Sequence, residues 1–344
     1  MSSTPNKPLR VLMVTGVYPT EEFPYSGTFI KTQVDSLIAA GLEVHVIHPK
    51  PGPALFRYAS AAIQVFLKTL TGRFDIVHGH YGQWCLLARM QWTTPVVASF
   101  LGSDLLNAMG FKEVLIKRMS RWLCQRVDAV TVKTEEMKKV VSGDNVIVYP
   151  DGVDFELFHP IPRTEARAAL GWDQDRYYVL FGNDPQRYEK NFPLAQAAIE
   201  CLRTAGVSVE LIVANGLPQT TLVQYINASN ALILTSLYEG SPNIVKEAMA
   251  CNVPVVATNV GDVFQVIGHT TGCKVCPHDP NALAAGFEEA LRHTQPTTGR
   301  TDISHLECSV IAKRVIAVYE EIKSKKAKGK QLSEETIYPE STEY

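Results

Sequence analysis

The sequence predicts an α/β protein made of two doubly wound, parallel-sheet domains that face a cleft, closed by a C-terminal helix. Three observations carry this expectation. The chain has 344 residues, which suits two cores of roughly 150 residues each better than one. Short apolar, β-branched runs alternate with helical stretches in both halves, the pattern of βαβ units whose strands are buried on both faces. Between residues 148 and 160 both periodicities stop, and turn formers mark a hinge.

In the first half the strands are expected at residues 9–15, 43–48, 75–78, 96–100 and 129–133, with helices at 28–40 and 54–71. Gly41 ends the first helix, because glycine accepts the left-handed conformation that closes one. In the second half strands are expected at 177–182, 208–214, 231–235 and 254–258, and helices at 191–205, 219–228, 242–251 and 280–293. The division is therefore 1–155, 156–308, a helix at 309–325, and a polar tail at 326–344 expected to be disordered.

Composition excludes several classes. A formal net charge of −2 gives no reason to expect a nucleic-acid partner. No run approaches the ~18 apolar residues of a membrane span, and the first eight residues do not read as a signal peptide. Seven scattered cysteines fit a reducing compartment, so a cytoplasmic location is expected. Cys273 and Cys276 have metal-knuckle spacing, but no second pair completes a site. Asp173-Gln-Asp175 precedes a strand and reads as a solvated turn, so no metal is expected.

The most informative segment runs from Thr235 to Ala250. A strand ends, a short loop follows, and Ser241-Pro242 opens a helix, with serine as N-cap and proline at the first helical position. Free N–H groups at such a helix start form an anion site suited to a diphosphate, and Gly240 lets the backbone approach closely. Glu239 precedes the helix and Glu247 lies inside it. Each is either a helix stabiliser or a ligand for paired sugar hydroxyls.

These residues resemble the E-x7-E pattern of family 4 glycosyltransferases, retaining enzymes with the GT-B architecture of two Rossmann-like domains. Ser236-Leu-Tyr-Glu-Gly-Ser-Pro242 is similar to their S-x-x-E-G-F/S-P run. Pro254-Val-Val-Ala-Thr258 with Gly261 resembles the continuation, and Pro150-Asp-Gly-Val-Asp154 to Phe158 the linker, with Asp151 in place of the usual asparagine. Asp75-Ile-Val-His78-Gly-His80 resembles a strand end of the N-terminal domain. The resemblance spans about residues 9–290 in order.

The resemblance implies an enzyme that moves a sugar from a nucleotide-diphosphate sugar to a glycan, lipid-linked or small-molecule hydroxyl. Glu247 would bind the donor ribose and Glu239 the transferred sugar. N–H groups at Asn243 and Ile244 would meet the distal phosphate, beside Gly240 and Ser241. Arg187 and Lys190 would neutralise the leaving diphosphate without a metal or other cofactor. Gly27 matches a glycine-rich turn on the donor phosphate, with Ser26 where a second glycine is usual. His80, with His78 and Gly102, is expected on the acceptor side. His78 and His80 share a strand face, yet no third metal ligand accompanies them.

Two departures stand out. Ser99-Phe-Leu-Gly-Ser-Asp104 has Leu101 where the family carries a histidine, and Asp104 is the candidate to compensate. Arg187 stands three before Lys190, where the family arginine stands five before. The basic amphipathic stretch 111–126, with Trp122, is either a helix packed on its sheet or a peripheral contact with an anionic membrane on its inner face; residues 56–70 are a weaker second candidate. The alternatives to transfer are a nucleotide-sugar-binding protein and a same-fold epimerase or phosphorylase.

Overall fold

The computed structural model describes residues 7–102, 104–106, 111–141, 143–292 and 295–328. The tail beyond residue 328, and Ser103 of the Asp104 motif, lie outside the described residues. Two compact units result: one comprises Met1–Tyr18, Ile30–Gly152 and Ser309–Tyr344, the other Pro19–Phe29 and Val153–Cys308. The units therefore exchange segments, since the loop after the first strand groups with the second unit and the last helix with the first.

The first unit holds β1 (Arg10–Val14), α1 (Thr28–Ala39), β2 (Glu43–Ile47), α2 (Ala54–Thr71), β3 (Ile76–His80), α3 (Gly82–Arg89), β4 (Val96–Ser99), α4 (Phe111–Cys124), β5 (Ala129–Val132), α5 (Glu135–Val140) and β6 (Val146–Val148). Its six strands pair in the order β2-β1-β3-β4-β5-β6, all parallel. Strand β3 is buried at every position, whereas edge strand β2 carries Glu43 and His45 toward solvent. Gly79 lets α3 lie on β3, because a Cβ there would stand 2.6 Å from the Cys85 Cα.

The second unit holds α6 (Arg163–Leu170), β7 (Tyr177–Phe181), α7 (Phe192–Thr204), β8 (Val209–Val213), α8 (Gln219–Ala228), β9 (Ala231–Leu234), α9 (Asn243–Ala250), β10 (Val255–Thr258), α10 (Val263–Ile267), β11 (Lys274–Cys276), α11 (Pro280–Arg292) and α12 (Gly299–Asp302). Its parallel sheet runs β11-β10-β9-β7-β8. Strands β7 and β9 are neighbours from which the chain winds in opposite directions. Ligands in open parallel sheets bind beyond the strand carboxyl ends at such a switch point. The strands of the centre, β9 and β10, are wholly buried and uncharged.

Helix α13 (Cys308–Lys328) is fastened to the first unit by polar contacts. The Tyr319 hydroxyl lies 2.5 Å from His78 Nδ1, Lys323 pairs with Asp75 at 2.9 Å, and Lys326 Nζ donates to the Thr93 carbonyl at 2.6 Å.

Candidate active site

The carboxyl ends of β7 and β9 carry the polar cluster of the second unit. After β7 the chain makes a single 3-10 turn, Tyr188–Lys190, and Asn191 takes a left-handed φ of 49° before α7 begins. This turn brings Lys190 back over the sheet, where Thr235 Oγ1 donates to its carbonyl at 2.9 Å. The side chain is nearly buried, and Nζ donates to Glu239 Oε1 at 2.5 Å. Ser236 Oγ donates to the same oxygen at 2.7 Å. Lys190 and Glu239, expected to act on one donor, are thus brought together. Arg187 is not: its guanidinium is largely in solvent and pairs with Glu189.

Helix α9 begins at Asn243, one residue later than expected, with Pro242 in the cap position at φ −71° and ψ 111°. Ser241 does not cap it, because its hydroxyl donates to Asp262 Oδ2 at 2.6 Å and accepts from Lys246 Nζ at 3.0 Å. The Val245 N–H bonds the Pro242 carbonyl, and the Asn243 and Ile244 N–H groups make no hydrogen bond among the described residues. Asn243 Oδ1 and Asn183 Nδ2 are buried there without partners. Buried polar atoms are rarely left so.

Glycines shape the rest. Gly261 has φ +56°, and a Cβ on it would stand 2.1 Å from the Gly240 carbonyl oxygen, so its turn presses on the Glu239–Gly240 backbone. Glu247 lies farther along α9, partly exposed, and its carboxylate accepts no hydrogen bond among the described residues. Burial pushes its carboxyl up to about 7, against the opposing charge of Lys246. A carboxylate held short of partners suits a pair of ligand hydroxyls. Gly27 takes φ +68° just before α1, a turn that requires glycine, and falls in the second unit.

The residues assigned to the acceptor side and to compensation prove to be interior. His78 is fully buried, with Nε2 2.6 Å from Ser99 Oγ and Nδ1 on Tyr319. His80 stacks on it with ring centroids 4.3 Å apart; its Nε2 meets Met13 Sδ and its Nδ1 is unpartnered. Both are neutral: burial lowers His78, and lowers His80 to about 3. Both histidines, expected on the acceptor side, stand in a buried polar network with Ser99, Tyr319 and Met13. Asp104, fully buried, accepts from the N–H groups of Leu101 and Gly102 at 3.0 Å and of Gly82 at 3.1 Å. Burial raises its carboxyl to about 6, opposed by those bonds. It holds the Leu101–Gly102 turn and the start of α3, a structural role that these three bonds carry. Gly102, at φ +137°, belongs to the same turn.

Sequence reasoning missed Lys246, Asp262, Asn183 and His278. The His278 Nε2–H donates to the Ser236 carbonyl at 2.9 Å, and Thr258 Oγ1 donates to the same oxygen, so β10 and β11 also contribute to the cluster. A lysine within an otherwise apolar helical face was the signal available for Lys246. The cysteines are all free, and Cys276 ends β11. Among the described residues no group of three His, Cys, Asp or Glu side chains could hold a metal. None of the described helices is long and apolar enough to cross a membrane.

Two Rossmann-like parallel sheets, of six and five strands, define the GT-B class. Residues 10–146 match the family model described as glycosyl transferase 4-like domain, and residues 165–293 that of glycosyl transferases group 1. The chain belongs to the family 4 glycosyltransferases and is a glycosyltransferase. It is 26% identical to the "Putative teichuronic acid biosynthesis glycosyltransferase TuaC" of Bacillus subtilis (strain 168), over 80% of this chain and 87% of that protein. It is 29% identical to the D-inositol 3-phosphate glycosyltransferase of Mycobacterium sp. (strain KMS), over 68% of this chain, and spans only 63% of that protein's length. Sucrose-phosphate synthase from Thermosynechococcus elongatus has the same fold, at TM-score 0.70 and 19% identity over 92% of this chain and 99% of that one. So does Anabaena HepE solved in complex with UDP-glucose, at TM-score 0.65 and 15% identity over 93% and 100%.

Proposed function

We propose that this glycosyltransferase takes a nucleotide-diphosphate sugar on its second unit and transfers the sugar, with retention of configuration, to an acceptor hydroxyl. The observation that carries the reading is the pairing of two unbonded N–H groups, at Asn243 and Ile244, with a partner-poor carboxylate at Glu247 on one helix. The helix start takes the diphosphate and Glu247 takes the ribose hydroxyls. Lys190, released from Glu239 as donor enters, meets the leaving diphosphate, while Glu239 turns to the sugar. The bond from the anomeric carbon to the distal phosphate oxygen breaks, the acceptor oxygen bonds that carbon, and the acceptor's proton passes to the departing phosphate oxygen. Fixed cations and N–H groups stabilise the leaving charge without a metal. The UDP-glucose complex of Anabaena HepE supports a uridine donor as the first to test, and the likeness to TuaC, named for teichuronic acid biosynthesis, supports a polysaccharide acceptor.

The acceptor is proposed to be a glycan, lipid-linked saccharide or small molecule met at a cytoplasmic membrane face. On α4, Leu115 and Trp122 are 58% and 48% exposed beside Arg118 and Arg121, and Arg126 covers the Trp122 ring at 4.2 Å. Basic helices carrying exposed tryptophan favour an anionic interface. Flotation with phosphatidylglycerol vesicles checks this contact, and protein left in the pellet fraction removes it.

Transfer is tested by incubating the protein with UDP, GDP, ADP and dTDP sugars and hydroxyl acceptors, and reading product anomers by nuclear magnetic resonance. Release of nucleoside diphosphate with a retained anomer supports the reading. Binding without transfer or donor hydrolysis would make the chain a nucleotide-sugar-binding protein, and donor conversion without acceptor an epimerase.

A further inference from the structure

Lys246 is an unexpected residue in its place. It lies in the middle of α9 and is only 1% exposed, where an ammonium is costly unless held by polar partners. Its Nζ donates to Ser241 Oγ at 3.0 Å, and Ser241 Oγ donates onward to Asp262 Oδ2 at 2.6 Å. The serine hydroxyl therefore accepts on one side and donates on the other, which fixes its rotor. The relay joins three stretches: the loop from Glu239 to Pro242, the body of α9, and the turn at Gly261–Asp262. That turn is already pressed on Gly240, with 2.1 Å between a hypothetical Cβ of Gly261 and the Gly240 oxygen. The stretch held in this way ends at Pro242, immediately before the two unbonded N–H groups.

We infer that Lys246 is a positioning residue of the donor site, acting through Ser241 on the helix start and through its charge on Glu247. The inference rests on the donor reading above and deepens it by naming what sets that site's geometry and pH range. Lys246 follows from α9 itself, and its charge opposes the burial that raises Glu247. Few other charges act there. Of the elements packed on α9, β9, β10, α8 and α10 carry no charged side chain, and α12 brings Arg300 and Asp302. Arg300 bonds the carbonyls of Phe155, Phe158 and Ala250, and Asp302 bonds Thr270 and Thr298. The neighbouring Cys251 thiol is pushed up to about 12 by burial and stays neutral.

The ribose hydroxyls need Glu247 ionised, so binding of a nucleoside diphosphate strengthens as pH rises through its titration. Without the ammonium that titration moves to higher pH. A residue with a merely structural role would weaken binding evenly across pH, whereas Lys246 sets the midpoint.

The test is calorimetric titration of wild type, Lys246→Met, Lys246→Gln, Lys246→Arg and Ser241→Ala with UDP, GDP, ADP and dTDP from pH 6 to 9, each variant first shown to unfold cooperatively. The uncharged variants are expected to lose about tenfold or more in affinity at pH 7, the scale of one charge-assisted hydrogen bond, and to regain part of it at pH 9. Lys246→Arg keeps the wild-type midpoint, and Ser241→Ala weakens binding without moving it. A wild-type midpoint in both uncharged variants overturns the inference. Failure of the wild type to bind any diphosphate overturns the donor reading instead, so the two failures are distinct.

Discussion

Lys190 Nζ lies 2.5 Å from Glu239 Oε1, joining the ends of two neighbouring strands whose connections wind in opposite directions. The pair lies at the switch point, and under the proposed function a diphosphate would compete with Glu239 for the ammonium. Lys190→Ala is expected to cut transfer about 100- to 1,000-fold, the usual scale for removing one group that stabilises developing charge. It also leaves Glu239 with Ser236 alone, at a cost of roughly 1.5–3 kcal/mol. Steady-state kinetics and urea unfolding on the same preparation check both effects, and unchanged kinetics would assign Lys190 to structure only.

Glu247 sets stability against binding. Its folded carboxyl titrates at about 7, above the ordinary 4.5, because of burial. A carboxyl raised on folding contributes stability that is fully present below the unfolded value and is lost as pH rises from about 4.5 through 7. Glu247→Gln is therefore expected to be more stable than wild type at pH 8, by an amount on the order of 2 kcal/mol, while losing nucleotide affinity. Thermal unfolding at pH 5 and pH 8 should show the difference growing with pH; equal differences at both would contradict the assignment.

Asp104 makes the opposite kind of prediction. With three backbone N–H groups on one buried carboxylate, Asp104→Ala strands all three donors. The expected loss is about 2–4 kcal/mol of first-unit stability, with Asp104→Asn losing less. Donor affinity of the folded fraction should be unchanged. A stable Asp104→Ala protein inactive in transfer would contradict this structural account and favour a catalytic role for Asp104.

The histidine stack gives an acid-side signature. His80 titrates near 3 in the folded chain instead of 6.5, because burial and Lys133 oppose its charge. Such a group contributes stability above pH 6.5 that is lost as pH falls toward 3. The urea midpoint should fall between pH 6.5 and 4, and His80→Leu should flatten that fall. A slope identical in the variant would place the titrating group elsewhere.

Much of this was legible where it is local. The bounds of α2 and α8 agree with the periodic apolar runs, and Lys190, Glu239 and Glu247 stand in one ordered motif. Elements as short as β11 and α10, with three and five residues, leave too few turns or alternations for periodicity to register. Distant partners stayed hidden for another reason. Ser241 looked like a helix cap because sequence shows its neighbours and not Asp262, and the three backbone N–H partners of Asp104 stayed hidden because sequence does not show burial. Asp151, where the family has asparagine, pairs with the buried Lys133 at 2.7 Å, so that departure is a compensated charge. The attachment of α13 by Tyr319 to His78 crosses 241 residues, beyond any local pattern.

The most direct test of the donor site is calorimetric titration of the wild type with UDP, GDP, ADP and dTDP in the presence of a chelator. The account predicts that one diphosphate binds preferentially without metal, and that Glu247→Ala and Lys190→Ala each abolish the heat while remaining folded. Folded wild-type protein that binds none of the four, or binds equally well in both variants, would contradict it.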